Sequence, residues 1–109
     1  RAAMSRLIRI DWPDNGTPDL PPAFTLAEAE ARLRALRSVA AAQGYEAIVV
    51  YGDREHAANL HWLTGFDPRF EEAVLVVTPG DALLLAGNEC LAYTAISPLV
   101  RAGVVRTGL

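Results

Sequence analysis

Two histidines, one cysteine and a short run of carboxylates beside an arginine are the groups in this 109-residue chain that could do chemistry. His56 and His61 could serve as bases or metal ligands. They stand five residues apart, about 140° round a helix, and so do not share a face. The zinc pair of a metallopeptidase helix is spaced i, i+4 instead. Both histidines therefore read as helix-surface residues. Cys90 falls just inside a predicted helix start, where a thiol pKa can be lowered. Neither histidine is near it in sequence, and it reads as a small buried apolar residue. Asp67, Glu71 and Glu72 cluster beside Arg69. Paired carboxylates can act as acid and base, but a solvated loop with a local ion pair accounts for them better. Nucleophilic catalysis needs a nucleophile, a base and an orienting group in one place, and no such set stands out. No Gly-rich phosphate cradle occurs either. Taken alone, these residues describe a non-catalytic domain with no catalytic residue, no metal site and no cofactor of its own.

The composition narrows the class further. The chain is 51% apolar with a formal charge of −3, which excludes a disordered tail and offers no basic field for nucleic acid or anionic lipid. All ten basic residues are arginine, a bias that suits a GC-rich coding sequence. No apolar run approaches the ~18 residues of a membrane helix, and no secretory leader pattern opens the chain. The chain is read as cytoplasmic. One cysteine excludes an internal disulfide and a cysteine-based zinc site.

The elements that must position these groups are legible in turn. Residues 1–24 form an extended N-terminal arm rich in turn formers (Asp11 to Pro18, then Pro21-Pro22). Its large apolar residues, Leu7, Ile8, Ile10, Trp12 and Leu20, have no core of their own and call for another surface. Residues 25–109 form the domain proper. Thr25-Leu26-Ala27-Glu28 is a capping box, and Leu26, Ala29, Leu33, Leu36 and Ala40 make one helical stripe, so a helix is predicted over about 25–43 with Gly44 as its stop. Ala47–Tyr51 is a continuous β-branched run of the kind buried on both faces in parallel sheets. Asp53 is placed to cap a helix over about 54–62. Ala73–Val77 and Ala82–Ala86 read as a hairpin about Thr78-Pro79-Gly80-Asp81, with Pro and Gly in type II positions. Asn88 is expected to cap a helix over about 89–96 that Pro98 stops, and Val104-Val105 suits a last short strand. The pattern implies an α/β fold: a mixed sheet of about four to six strands with helices on both faces.

Within this frame, an ordered series of segments resembles the N-terminal domain shared by creatinase, prolidase and Xaa-Pro aminopeptidases. It comprises the apolar strand Ala47–Tyr51 after a Gly-terminated helix, then Asn59-Leu60-His61-Trp62-Leu63-Thr64-Gly65-Phe66, then Arg69-Phe70-Glu71-Glu72-Ala73 leading into a strand. The octapeptide is similar to the family's Asn-x-x-Tyr-Leu-Thr-Gly-Phe, with Trp62 at the tyrosine position. The preceding helix, with Arg32-Leu33 and Leu36, also fits. The match covers about residues 25–97.

The resemblance implies a non-catalytic domain of a metal-dependent hydrolase. In that family a larger domain holds two divalent metal ions through two Asp, one His and two Glu. That catalytic domain is absent from this chain, which reads as interrupted at Leu109. The smaller domain helps to build dimers and narrows the mouth of the active site, so the expected partners are a second copy in a homo-oligomer and the catalytic domain of the same parent chain. By the same resemblance, Phe66, Arg69 and Phe70 are the candidate substrate contacts. Arg69 could bind a carboxylate bidentately, or it could pair with Asp67 or Glu72. The alternative is a stand-alone α/β interaction or dimerisation domain without a catalytic half.

Overall fold

The computed structural model describes residues 3–16 and 19–108. The elements run α1 (Leu26–Ala42), β1 (Ile48–Gly52), α2 (Ala58–Thr64), β2 (Ala73–Val77), β3 (Ala82–Ala86), a 3₁₀ turn (Ala92–Ile96), α3 (Pro98–Arg101) and β4 (Val105–Gly108). The sheet order is β1-β2-β3-β4. The first two pairings are antiparallel and β3–β4 is parallel, so the sheet is mixed, as expected for the α/β class.

The first helix follows its signals closely. The Thr25 hydroxyl accepts the Glu28 N–H at 3.2 Å, which satisfies one of the orphan donors of the first turn. Glu28 turns its carboxylate to Arg32, at 3.6 Å, rather than back to the cap. Past the far end, Gly44 takes a left-handed φ of 77°, which costs a residue without Cβ little. Ala29, Leu33 and Ala40 are buried and Leu36 partly so.

Pleating then sorts the sheet into two faces. Ala73, Leu75, Val77, Leu84 and Ala86 share one core with Ala29 and Leu33 of α1, Leu60 and Leu63 of α2, and Leu99 of α3. The opposite face carries Val49, Tyr51, Val74, Val76, Leu83 and Leu85, none of them buried. Helical cover thus lies on one face among the described residues, where the sequence pattern implies a second helical layer. The apolar run of β1 does not lie in a doubly covered parallel strand: Val49 is 65% exposed and β1 is an antiparallel edge.

Other local expectations need correction. Asp53 caps no helix. Its carboxylate accepts the N–H groups of Glu55 and His56 at 3.0 and 2.7 Å, closing a local turn, and α2 starts later at Ala58 without a side-chain cap. Gly80 does not adopt a positive φ, so the β2–β3 turn is not type II. It is held instead by the Asp81 N–H on the Thr78 hydroxyl at 3.1 Å. The helix expected over 89–96 shortens to the 3₁₀ turn, and Asn88 caps nothing. Pro98 begins a helix rather than ending one: it is the first residue of α3 behind the Ser97 cap, where its missing N–H is harmless. In the arm, Asp14 accepts the Gly16 N–H at 2.8 Å, while Thr17 and Pro18 lie outside the described residues. Met4, Leu7, Ile8, Ile10 and Trp12 are all exposed.

Candidate functional site

The loop between α2 and β2 is built from its two ends. Gly65 closes α2 in the left-handed region, and its N–H donates to the His61 carbonyl at 2.7 Å. The buried Thr64 hydroxyl donates to the Leu60 carbonyl at 2.7 Å and accepts the Phe66 N–H at 3.1 Å. These bonds turn the chain inward, and Phe66 becomes fully buried. Its ring sits 5.8 Å from that of Tyr93 at a tilt of 51°.

The loop then doubles back over the segment before the 3₁₀ turn. Pro68 is buried, and its carbonyl accepts the Glu71 N–H at 3.0 Å and the Cys90 thiol at 3.4 Å. Glu71 reaches across to accept the N–H groups of Glu89 and Cys90, at 3.4 and 2.9 Å. Gly87 makes room for that carboxylate, since any Cβ there would run into it. The loop is therefore anchored at both ends.

Arg69 stands at the apex with φ of 57°, the only non-glycine residue at positive φ among those described. This conformation costs on the order of 1–3 kcal/mol and persists only where surrounding contacts impose it. Four such contacts are present, two to Asp67 and two to Tyr93. Asp67 Oδ1 accepts the Arg69 N–H at 3.1 Å and lies 3.7 Å from Nε. Nη2 donates to the Tyr93 hydroxyl at 2.9 Å, and the guanidinium carbon lies 4.7 Å from the centre of the Tyr93 ring. The hydrogen bond to Tyr93, with Asp67 adding to it, raises the arginine further above its ordinary pKa. Nη1 has no partner among the described residues, and the side chain is about half exposed. Phe70 beside it is 64% exposed.

The three candidate contacts therefore separate. Arg69 and Phe70 face outward together, whereas Phe66 lies in the core and reaches the site only through Tyr93. Of the two carboxylates offered as partners for Arg69, Asp67 pairs with it and Glu72 does not among the described residues; Glu71, between them in the cluster, is committed to the 89–90 backbone. Sequence reasoning misses Tyr93. It is 24 residues from Arg69, and no local pattern marks it.

The remaining chemical groups are elsewhere. Burial, followed by the nearby Glu71, pushes the Cys90 thiol up, the opposite of activation. His56 lies outside α2, in the turn of Asp53, where its Nδ1 is 3.0 Å from Asp53 Oδ1. Partial desolvation would raise Asp53, but the hydrogen bonds from the His56 backbone and ring outweigh it and hold the carboxyl below its ordinary value. Both histidines are exposed. Among the described residues no three of His, Cys, Asp and Glu group as a metal site, and no helix is long and apolar enough to cross a membrane.

No protein-family model matches this chain, and no curated protein matches its sequence. Among solved structures, its fold is similar to that of an Xaa-Pro aminopeptidase from Streptococcus pyogenes, with a TM-score of 0.60 and 23% identity over 76% of this chain. The match spans 57% of that protein's chain. At this identity the likeness is one of fold: a mixed sheet with helices, of the kind found in that Xaa-Pro aminopeptidase structure.

Proposed function

We propose that this chain is the non-catalytic N-terminal domain of a metal-dependent Xaa-Pro peptidase-like hydrolase, where it contributes to oligomerisation and shapes substrate access. The observation that carries the proposal is the Arg69 apex. A strained, well-braced arginine with an open guanidinium edge stands beside an exposed phenylalanine, on a fold shared with an Xaa-Pro aminopeptidase. Such an edge takes a carboxylate through paired charge-assisted hydrogen bonds. The ligand class is therefore a peptide C-terminus or another small carboxylate, presented by a neighbouring catalytic domain. Phe70 would wall the same mouth.

In this proposal the two divalent metal ions are held by the catalytic domain. The test is to express the full reading frame and assay metal-stimulated cleavage of Xaa-Pro peptides, with the 109-residue chain as control. Activity in the longer protein alone supports the proposal. Absence of cleavage by the longer protein under Mn²⁺, Co²⁺ and Zn²⁺ sinks it. A second reading, a stand-alone interaction or dimerisation domain, is favoured by the open apolar face of the sheet, and a reading frame that stops after Leu109 would support it.

A further inference from the structure

We propose that the cleft between the last turns of α1, the start of β1 and the end of β2 binds a small monocarboxylate carried on an apolar body. The inference does not depend on Arg69. The Arg69 loop enters β2 at Ala73, whereas the cleft is lined by Val77 at the other end of that strand, four residue steps or roughly 13 Å away.

The end of a helix and the tip of a hairpin build the cleft between them. Gly44 takes its left-handed φ of 77°, and the Tyr45 N–H folds back onto the Ala40 carbonyl at 2.9 Å. That bond reverses the chain after α1, so residues 45–48 form a wall facing the helix they have just left. Arg37 fixes the third wall. Its Nε donates to the Thr78 carbonyl at 2.8 Å and its Nη2 to the Asp81 carbonyl at 2.9 Å, which ties the β2–β3 turn to α1. The cleft so formed measures about 410 Å³, within the range of small-ligand sites. Ala40 and Val77 in its lining are buried and Ile48 partly so, and Ala41, Ala47 and Pro79 complete an apolar surface. Walls that are set before binding avoid the cost of ordering them on binding.

The charged groups at the rim are not paired with one another. Arg34, Arg37 and Glu46 all line the cleft. Among the described residues the ion pairs are those of Arg32, His56, Arg69 and Arg101, so Arg34 and Arg37 have no acidic partner. The acceptors of Arg37 are uncharged carbonyls, which leave its charge in place. Two guanidinium groups and one carboxylate therefore set one net positive charge beside apolar walls.

This balance selects the ligand. A carboxylate takes paired, charge-assisted hydrogen bonds from a guanidinium, and the exposed Arg34 has its whole donor fork to offer. A single negative charge matches the rim. A phosphate monoester, with close to two charges at neutral pH, brings one charge too many towards Glu46, and a cation meets two arginines. The apolar lining takes the body of the ligand, so a bare ion such as acetate gains little there.

Titration of the 109-residue chain with 4-phenylbutyrate, followed by backbone-amide NMR, tests this. Saturable shifts are expected at Ser38, Tyr45, Ile48 and Thr78, with a Kd of about 1 mM or tighter, the range open to a ligand of this size. The matched alcohol, 4-phenylbutan-1-ol, should bind about tenfold more weakly, and Arg34→Gln should weaken 4-phenylbutyrate by a similar factor, that of one charged hydrogen bond. The matched phosphate, 4-phenylbutyl phosphate, should also bind more weakly than the carboxylate. Ala41→Phe, at an exposed position of α1, should abolish binding by filling the cleft, and the melting temperature of each variant verifies its fold. Four results would overturn the proposal: no saturation with 4-phenylbutyrate, an alcohol or phosphate that binds as tightly, binding unchanged by Arg34→Gln or by Ala41→Phe, or shifts centred on residues 66–70 instead.

Discussion

The Arg69 guanidinium lies over the Tyr93 ring, 4.7 Å from its centre, and donates at 2.9 Å to the hydroxyl of the same residue. Phe66 packs on that ring from the core. A buried phenylalanine, a half-buried tyrosine and an exposed arginine therefore form one line from core to surface. Tyr93 acts here as a positioning residue.

Tyr93→Phe keeps the ring and removes the hydroxyl. The expected stability loss is about 1 kcal/mol or less, the usual net worth of one hydrogen bond. Tyr93→Ala also removes the support of Phe66 and should cost more than Tyr93→Phe. Chemical denaturation of both variants checks the order. Equal losses would mean that the ring braces nothing.

The strain at Arg69 has its own signature. Arg69→Gly should be more stable than Arg69→Ala by about 1 kcal/mol, because glycine occupies the left-handed region without the Cβ clash. Comparing the two melting temperatures tests this. A less stable glycine variant would contradict the assigned conformation.

Glu71→Ala leaves the Glu89 and Cys90 N–H groups without their acceptor. A loss of about 1–3 kcal/mol is expected, with earlier exposure of Cys90 to a thiol reagent. Native Cys90 should react only at the rate of unfolding, since burial raises its pKa and hides it. Rapid labelling of the folded wild type would contradict the packing of Pro68 against Cys90.

Asp53 supplies a pH dependence. Its folded pKa lies below the ordinary 3.8, so its stabilising effect is complete above that value and fades as pH falls through the lower, folded pKa. His56→Ala should move the Asp53 carboxyl back up in an NMR titration. Asp53→Asn should flatten the acid limb of stability over the same window. An Asp53 titration that ignores His56 would remove the ring contact.

Much of this fold is legible because local and tertiary preferences agree. β2 and β3 are apolar runs separated by Thr-Pro-Gly-Asp, and α1 has a capping threonine, a stripe and a terminal glycine. The failures have physical causes. An aspartate at position 53 is equally good at closing a turn or capping a helix, and only the path of residues 54–57 decides. Ser97-Pro98 signals a start as well as a stop. β1 looks doubly buried because Val49 and Tyr51 are apolar, although they face outward in this chain. At the site, the Phe66–Phe70 segment is legible, but its division into a buried Phe66 and an exposed Arg69 and Phe70 depends on Tyr93. That contact is made across the fold, and no spacing rule reports it.

The most direct measurement is kcat/KM for an Xaa-Pro peptide with Arg69→Ala in the full-length protein, taken with the melting temperature of the same variant. If Arg69 contacts substrate, kcat/KM falls by roughly ten- to hundredfold, the worth of a charged hydrogen bond of about 1.5–3 kcal/mol, while the melting temperature barely moves. Unchanged kcat/KM with a lowered melting temperature would contradict the proposed role and leave Arg69 as the structural partner of Asp67 and Tyr93.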